Sequence, residues 1–392
     1  MISNNPEKIA ELLTRGVANV YPTPEFLEKE LKSGRQLTLY TGYDPTGPSL
    51  HIGHGITMLK LRQFQNLGHK IIMLIGDFTA MIGDPTDKGA TRTRLTREEV
   101  LENCKKYQEQ ASTILNFSDE NPVEVKYNSD WLGKMNFADV LELASHFTVQ
   151  QILERDMFEK RVKEEKPIFL HEFLYPLMQG YDSVAMKVDG EVGGNDQTFN
   201  MLTGRTLMKE MLSKEKFVLT VKLLADENGK KMGKSEGNMI ALSDSPEDMF
   251  GKVMTWSDGV IRNSFELCTR LPMIEIEEIM KVANPRDAKL KLAFIITETF
   301  LGTEAAEQGR DYFAKTIQNK ERPAEIPELV PSAYDIVTVL VETGFVKSKS
   351  EAQREIEGGG VKINDVKVVD YKSSVQSNDV VQKGKRFFVT VK

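Results

Sequence analysis

The spacing of apolar residues predicts three consecutive elements early in the chain. Residues 37–42 (LTLYTG) form a short, mainly apolar run that ends at a glycine, which is typical of a strand. Residues 51–68 place apolar side chains at helical spacing and also end at a glycine. Residues 70–77 (KIIMLIGD) contain a continuous apolar run, as in a strand buried on both faces. Together they predict a βαβ unit with a right-handed crossover, and ligands of such sheets bind beyond the carboxyl ends of the strands.

The pattern changes twice further along. Residues 217–224 (FVLTVKLL) predict another strand, which runs into a glycine-rich loop. Residues 246–320 show amphipathic helical spacing. The tail, residues 332–392, predicts two helices followed by strands, including a hairpin that turns at Asn364-Asp365.

Prolines suggest where the chain divides. Residues 321–331 hold three prolines among acidic residues, so we expect an extended linker there. This predicts an α/β domain over 1–245, a helical domain over 246–320 and a small α+β domain over 332–392. That last segment has ten basic and eight acidic residues in a chain of net charge −7, a weak indication that it meets a polyanion.

Composition excludes several classes of protein. Hydrophobic residues make up 40% and charged residues 28%, as in soluble globular proteins, and no apolar run is long enough to span a membrane. The first residues lack the apolar core of a secretory signal. Cys104 and Cys268 form no CxxC pair, so neither a disulfide framework nor a thiolate metal site is expected. We expect a cytoplasmic protein without a metal site of its own.

A first candidate motif, His51-Ile52-Gly53-His54, opens the predicted helix. The N-terminus of a helix offers free N–H groups and partial positive charge, and therefore attracts phosphate. His51 and His54 are three residues apart and share a helix face. Alone, the motif fits a phosphate site and a simple pair of helix-capping histidines equally well.

A second motif, Lys231-Met232-Gly233-Lys234-Ser235, lies in the glycine-rich loop. Lysines on such a loop can close over a triphosphate and neutralise charge as a bond breaks. The spacing is not that of a P-loop. Alone, the motif slightly favours a solvated basic loop.

In this order, the two motifs resemble the HIGH (45–54) and KMSKS-type (231–235) regions of class I aminoacyl-tRNA synthetases, with Gly233 at a position usually held by serine. Similarity to the bacterial tyrosyl-tRNA synthetase family extends to the segments YTGYDPTGPSLHIGH, IGDPTDKGATR, EFLYPLMQGYD, VGGNDQTFN and NPRDAK. The tail resembles that family's S4 domain. The resemblance covers nearly the whole chain. It implies a Rossmann-like parallel-sheet catalytic domain, an α-helical anticodon-side domain and a small α+β S4-like RNA-binding domain.

The resemblance also implies a two-step reaction. L-Tyrosine and ATP give tyrosyl-adenylate and pyrophosphate, and the tyrosyl group then moves to the 3′ end of tRNA(Tyr). Mg²⁺ would accompany ATP, held largely by phosphate oxygens and water, with no permanently bound cofactor. A homodimer is implied, with the segment near residues 120–180 in its interface. The residues matched to catalysis are Thr46, His51, His54, Lys231 and Lys234.

Six residues match the family's tyrosine pocket: Tyr40, Asp84, Tyr175, Gln179, Asp182 and Gln197. A phenol hydroxyl needs a donor and an acceptor, which Tyr40 and Asp182 can supply. Tyr175, Gln179 and Asp182 recur at i, i+4 and i+7, so they line one helix face. The sequence departs from familiar members at Glu191, where others have glutamine near tyrosine, and at Thr41, where some have cysteine at the ribose.

Further residues match the nucleotide and RNA sites. Those matched to ATP are Gly42, Asp44, Thr46, His51, His54, Gly194, Asp196, Lys234 and Ser235. Lys88 and Arg92 match mobile basic groups near the pyrophosphate, and an ordinary loop charge is equally open for both. Candidate RNA phosphate contacts, some of which could simply be solvated, are Lys347, Lys349, Arg354, Lys362, Lys383, Lys385 and Arg386.

Three other functions compete with this one. A tryptophanyl-tRNA synthetase shares the fold, but an indole pocket does not need the pair Tyr40 and Asp182. A small-molecule nucleotidyltransferase with an HxGH motif needs no RNA-binding tail. A non-catalytic RNA-binding paralogue would be expected to have lost motif residues, which are all present here.

Overall fold

The computed structural model describes residues 2–84, 95–118, 120–225, 239–282, 284–318, 326–384 and 387–392. These residues form two compact units, Met1–Ala306 and Glu307–Lys392. Among the helices described, none is long and apolar enough to cross a membrane.

One six-stranded sheet organises the first unit. Its strands are β1 (Val17–Tyr21), β2 (Thr38–Tyr43), β3 (Lys70–Ile75), β4 (Glu124–Tyr127), β5 (Gly190–Gly194) and β6 (Phe217–Val221). Their order is β1-β6-β5-β2-β3-β4, with β1 antiparallel to β6 and every other pair parallel. The chain runs outward from β2 through β3 to β4, and then returns to β5 on the other side of β2. This change of direction makes the carboxyl ends of β2 and β5 the switch point at which such sheets bind ligands.

Helices surround this sheet. Those of the first unit are α1 (Pro6–Thr14), α2 (Pro24–Lys32), α3 (Ile52–Asn66), α4 (Arg97–Cys104), α5 (Tyr107–Ala111), α6 (Ser129–Leu132), α7 (Phe137–Ser145), α8 (Val149–Leu153), α9 (Asp156–Lys163), α10 (Leu170–Met186), α11 (Thr198–Leu212), α12 (Pro246–Met254), α13 (Ile261–Cys268), α14 (Met273–Val282) and α15 (Pro285–Leu301). α16 (Thr303–Tyr312) crosses into the second unit and continues as a π-helical segment, Phe313–Gln318. The predicted βαβ unit is confirmed as β2, α3 and β3. The helical pattern predicted after residue 246 is confirmed for the described residues.

Burial explains the continuous apolar runs. Every residue of β6 is buried, as are Ile71–Ile75 of β3, because helices cover both faces of the sheet. α10 and α11 cross closely at Gly180 and Gly204: a Cβ on Gly180 would lie 3.1 Å from the backbone nitrogen of Gly204. Side chains at either position would push the helices apart.

After the end of α16 and the π-helical segment, the described residues of the second unit form a five-stranded sheet and two further helices. The helices are α17 (Ile336–Glu342) and α18 (Lys349–Glu357), and the strands are β7 (Glu328–Leu329), β8 (Val361–Ile363), β9 (Val366–Lys367), β10 (Val380–Lys383) and β11 (Phe387–Val391). The strand order is β7-β11-β10-β8-β9. Asn364 and Asp365 have φ of 49° and 68°, the left-handed backbone that a tight two-residue hairpin requires, which confirms the predicted turn.

Part of the predicted linker belongs to this second sheet. Glu328–Leu329 pairs in parallel with β11, the N–H of Thr390 donates to the carbonyl of Pro327 at 2.8 Å, and that of Lys392 donates to the carbonyl of Leu329 at 2.8 Å. These bonds satisfy an edge of β11 that would otherwise be open. Residues 321–325 of the predicted linker lie outside the described residues.

Candidate active site

The HIGH-type motif forms the N-terminus of α3. His51 is the residue before the helix, and its Nδ1 accepts the N–H of His54 at 3.3 Å, while His54 Nδ1 accepts the N–H of His51 at 3.2 Å. The two rings stack with centroids 3.7 Å apart. A Cβ on Gly53 would lie 3.0 Å from the His51 ring, so glycine leaves room for it. The two histidines therefore cap the helix reciprocally, and the N–H of Ile52 in the same turn donates to the Ile240 carbonyl at 2.9 Å.

Asp44, just beyond the carboxyl end of β2, joins the two proposed substrate sites. Its Oδ2 accepts the hydroxyl of Tyr175 at 2.8 Å, and its Oδ1 accepts that of Thr79 at 2.8 Å. A Cβ on Gly76 would lie 2.0 Å from Asp44 Oδ1, so only glycine fits there. Burial, together with the Asp44 charge, raises the pKa of Tyr175 well above its usual value and keeps its hydroxyl a donor. A residue matched to ATP thus contacts one matched to tyrosine.

Asp182 is buried in a nest of donors. Trp131 Nε1 donates to its Oδ1 at 2.8 Å and Asn128 Nδ2 reaches its Oδ2 at 3.4 Å. Asn128 also donates to Thr79 at 3.0 Å, which extends the network towards Asp44. Desolvation raises the pKa of Asp182 well above its usual value, and the two donors oppose that rise.

A second network holds Asp84, Gln179 and Gln197 together. Gln197 Nε2 donates to Asp84 Oδ2 at 2.6 Å, and Asn200 Nδ2 donates to Gln179 Oε1 at 2.8 Å and to Gln197 Oε1 at 3.0 Å. The buried Arg155 donates to Asp84 Oδ1 at 2.9 Å. A substrate ammonium that bound Asp84 would therefore share this carboxylate with a guanidinium.

Tyr40 is fully buried and its hydroxyl lies 2.9 Å from Ser183 Oγ. Desolvation raises its pKa well above the usual value, and the charges of Glu191 and Asp182 raise it further, so the phenol stays protonated. Glu191 pairs with the buried Lys216 and accepts Gln179 Nε2 at 3.2 Å. The residue that departs from the family pattern is thus bound to a cation and not free in the pocket.

The nucleotide side is described in part. Asp196 follows β5 in a 3₁₀ turn, and a Cβ on Gly194 would lie 2.5 Å from its Oδ1, so glycine is required beside it. A Cβ on Gly42 would meet Leu74 only at an ordinary 3.8 Å. Thr46 N–H donates to the Asp44 carbonyl at 2.7 Å, which forms a tight turn. The Thr41 hydroxyl is used within the fold, since it donates to the Val192 carbonyl at 2.6 Å.

Seven predicted site residues lie outside the described residues: Lys88, Arg92, Lys231, Lys234, Ser235, Lys385 and Arg386. Within the described part of the chain, no group of three or more histidine, cysteine, aspartate or glutamate side chains could hold a metal ion.

The candidate RNA contacts of the second unit differ in exposure. Lys347, Lys349, Arg354 and Lys362 are exposed. Lys383 is 16% exposed and donates to the Phe345 carbonyl at 2.7 Å, so its charge already has a partner within the domain. The exposed Lys367, which was not among the candidates, faces Lys362 across β8 and β9. Two like charges held opposite each other repel, and an RNA phosphate between them would relieve that repulsion.

Sequence reasoning also missed residues of the amino-acid side: Asn128, Trp131, Arg155, Ser183, Asn200 and Lys216. Asn128 and Trp131 follow β4 directly, at the carboxyl edge of the sheet, so a search for polar residues after strands would have found them. Lys216 immediately precedes the apolar run of β6 and had no comparable signal.

Comparison with family models gives two matches. Residues 32–318 match the model described as tRNA synthetases class I (W and Y), and residues 336–381 match the S4 domain. These two regions lie on either side of the segment predicted to be a linker.

Curated relatives extend over the whole chain. A tyrosine–tRNA ligase of Thermotoga maritima is 45% identical over 98% of both chains. One of Aquifex aeolicus is 42% identical over 98% of this chain and 99% of its own.

Solved structures share the fold. A C-terminally truncated mitochondrial tyrosyl-tRNA synthetase of Coccidioides posadasii aligns with a TM-score of 0.64 at 26% identity, over 78% of this chain and 91% of that one. A tyrosyl-tRNA synthetase of Archaeoglobus fulgidus complexed with L-tyrosine aligns with a TM-score of 0.61 at 23% identity, over 78% of this chain and 99% of that one.

Proposed function

Because this chain belongs to the class I tRNA synthetases of the tryptophan and tyrosine type, we propose that it ligates L-tyrosine to tRNA(Tyr). The choice of tyrosine rests on one observation: Tyr40 and Asp182 are both buried, and they lie close enough for the charge of Asp182 to raise the pKa of Tyr40. A phenol hydroxyl needs both a donor and an acceptor, whereas an indole N–H needs an acceptor alone. This pair therefore fits tyrosine better than tryptophan.

In the first step, the tyrosine carboxylate attacks the α-phosphorus of ATP. A new P–O bond forms, the bond to the bridging oxygen breaks, and pyrophosphate leaves with that electron pair. The carboxylate is already ionised at neutral pH, so this step needs no general base. Catalysis then consists of positioning and of stabilising charge on the phosphates. We assign that stabilisation to Thr46, His51, His54, Lys231 and Lys234.

The nucleotide completes the site. The helix N-terminus at His51 and His54 supports a place for the phosphates, and Asp196 with Gly194 supports a place for the ribose. Lys88 and Arg92 are proposed to contact the pyrophosphate. Mg²⁺ is proposed to arrive with ATP, held mainly by phosphate oxygens. In the second step, a hydroxyl at the tRNA 3′ end attacks the tyrosyl carbonyl carbon and gives up its proton to solvent. An ester bond forms, and the bond from that carbon to the phosphate oxygen breaks as AMP leaves with the electron pair. We propose that this reaction takes place in the cytoplasm.

ATP–pyrophosphate exchange with each amino acid in turn tests this assignment. Tyrosine alone should support rapid exchange. Exchange with tryptophan would indicate a tryptophanyl-tRNA synthetase. No exchange with any amino acid would indicate a non-catalytic RNA-binding protein.

The Tyr40→Phe enzyme is expected to prefer tyrosine over phenylalanine less strongly, by about 1 to 3 kcal/mol, because one hydrogen bond to the substrate phenol is lost. The ratio of kcat/KM for the two amino acids measures this. Tyr43→Phe is a matched control: Tyr43 is buried on the same strand, three residues on and so on the opposite face, and its hydroxyl contacts Thr57 at 3.0 Å. If both variants changed the tyrosine-to-phenylalanine ratio of kcat/KM equally, Tyr40 would not be the residue that recognises the phenol hydroxyl.

We also propose that the protein is a homodimer. Large apolar side chains are exposed on the helices between residues 137 and 170, among them Phe137 at 77%, Leu141 at 56%, Val149 at 59% and Leu170 at 79%. Such a concentration on one segment is typical of a protein interface.

Replacing Phe137 and Leu141 together by aspartate is expected to shift the protein from dimer to monomer, because two buried charges would replace apolar contacts. Light scattering after size exclusion measures the mass. Val366→Asp, at a position 70% exposed on the second unit, serves as the control and should leave the mass unchanged. A double variant that stayed dimeric would place the interface elsewhere.

A further inference from the structure

A buried ion pair lies beneath the proposed tyrosine pocket. Lys216 is fully buried, the Glu191 side chain is 3% exposed, and Lys216 Nζ contacts Glu191 Oε2 directly. Burying two charges costs desolvation energy that a pair of apolar side chains would avoid. Desolvation lowers the pKa of Lys216, and the Glu191 charge opposes this. A pair that is expensive to bury calls for a role beyond packing.

Sheet register places the pair beside Tyr40. Tyr40 on β2 is the partner of Glu191 on β5, and Glu191 is the partner of Val218 on β6. Lys216 precedes Val218 by two residues and therefore points to the same face. The three side chains meet on that face of the sheet, under α10.

The pair touches pocket residues on both sides. Lys216 Nζ donates to Ser183 Oγ at 2.7 Å, and Ser183 Oγ lies 2.9 Å from the Tyr40 hydroxyl. The same ammonium lies 5.7 Å from the centroid of the Tyr40 ring, within cation–π range. On the other side, Glu191 Oε1 accepts Gln179 Nε2 at 3.2 Å. The ion pair is thus linked to Tyr40 through Ser183 and contacts Gln179 directly, and both Tyr40 and Gln179 are matched to tyrosine binding.

The ammonium group fixes which atom donates and which accepts in the series of hydrogen bonds from Lys216 through Ser183 to Tyr40. A lysine ammonium has only donors, so Ser183 Oγ must accept from it. The Ser183 proton is then available to the Tyr40 oxygen. The Tyr40 proton is directed away from Ser183, towards Glu191, which also contacts this hydroxyl, or towards a substrate phenol. Without Lys216, the Tyr40 hydroxyl could donate to Ser183 instead of to the substrate.

The helices leave space for the ammonium. A Cβ on Gly204 of α11 would lie 2.7 Å from Lys216 Nζ and 2.9 Å from Ser183 Oγ. Glycine at this position therefore allows the lysine head to sit between β5 and α10.

We propose that Lys216 is a positioning residue for amino-acid selection: through Ser183 and Glu191 it orients Tyr40 and Gln179, and so sets the preference for tyrosine over phenylalanine. The proposal rests on the tyrosine pocket proposed above. Lys216 itself is one residue removed from the substrate and acts through these side chains.

The test is the Lys216→Met enzyme in ATP–pyrophosphate exchange. We expect KM for tyrosine to rise about tenfold and the tyrosine-to-phenylalanine ratio of kcat/KM to fall about tenfold, with KM for ATP unchanged and kcat for tyrosine little changed. Gly204→Ala, which displaces the ammonium without removing it, should change the ratio in the same direction.

Two further variants separate positioning from stability. Lys60→Met removes another buried lysine, whose Nζ donates to the carbonyls of Leu12 and Arg15 at 2.8 Å each, and should lower Tm without changing the ratio. Lys216→Met combined with Glu191→Gln removes the unpaired carboxylate, so Tm should recover while the ratio stays low. A Lys216→Met ratio equal to that of the wild type, or a ratio fully restored in the double variant, would overturn the proposal. A wild-type enzyme that did not activate tyrosine would instead refute the proposed function, before any variant is compared.

Discussion

The His51→Ala enzyme should form tyrosyl-adenylate at least about 10²-fold more slowly than the wild type while binding tyrosine with the same affinity. His51 stands at the N-terminus of α3, where charge on the phosphates grows only as the bond to pyrophosphate breaks. Loss of one preorganised donor at such a position costs about this much in rate. Single-turnover adenylate formation measures the rate, and equilibrium binding measures the affinity for tyrosine.

His51 also caps the helix, so alanine removes two properties at once. Loss of an N-cap costs about 1 kcal/mol of stability. Asparagine is a good N-cap that lacks an imidazole, and His51→Asn therefore separates the two. It should restore Tm but not the rate. A His51→Asn enzyme with wild-type rate would show that capping is the whole contribution of this histidine.

Removal of the chain after Gln318, which contains the S4 match, should have the largest effect on tRNA. A chain ending at Gln318, where the synthetase match ends, should still exchange pyrophosphate in the presence of tyrosine. Its charging of tRNA should fall by about 10²-fold or more, because the exposed cations Lys347, Lys349, Arg354 and Lys362 are lost with the S4 match. Aminoacylation at several salt concentrations measures this effect.

Salt dependence distinguishes lost RNA contacts from a damaged catalytic unit. When the logarithm of the binding constant for tRNA is plotted against the logarithm of the salt concentration, each lost phosphate contact should make the slope shallower by about 0.7 to 0.9. Normal charging by the shortened chain would exclude the segment after Gln318 from tRNA binding. Loss of pyrophosphate exchange would mean that the catalytic fold extends beyond Gln318.

Local patterns were enough to predict the elements that carry much of the site. β2, α3 and β3 follow from apolar spacing alone, and the i, i+4, i+7 spacing of Tyr175, Gln179 and Asp182 places them on one face of α10. The hairpin at Asn364 and Asp365 follows from turn chemistry. In each case, the information lies within a few residues of sequence.

Residues brought in by distant pairing could not be predicted in this way. Trp131 reaches Asp182 because β4 pairs with β3, and Arg155 reaches Asp84 across 71 residues of chain. β7 has only two residues, which is too short to show the alternation of apolar and polar side chains that is typical of a strand. Its strand conformation depends on pairing with β11. No local pattern encodes such partners.

The hydrogen bond between Tyr175 and Asp44 has a thermodynamic consequence. One side chain is matched to the amino acid and the other to the nucleotide, and each helps to hold the other in place. A ligand that orders either residue lowers the entropic cost of ordering the other. We therefore expect the two substrates to bind cooperatively, and linkage requires the coupling factor to be identical whichever of them arrives first.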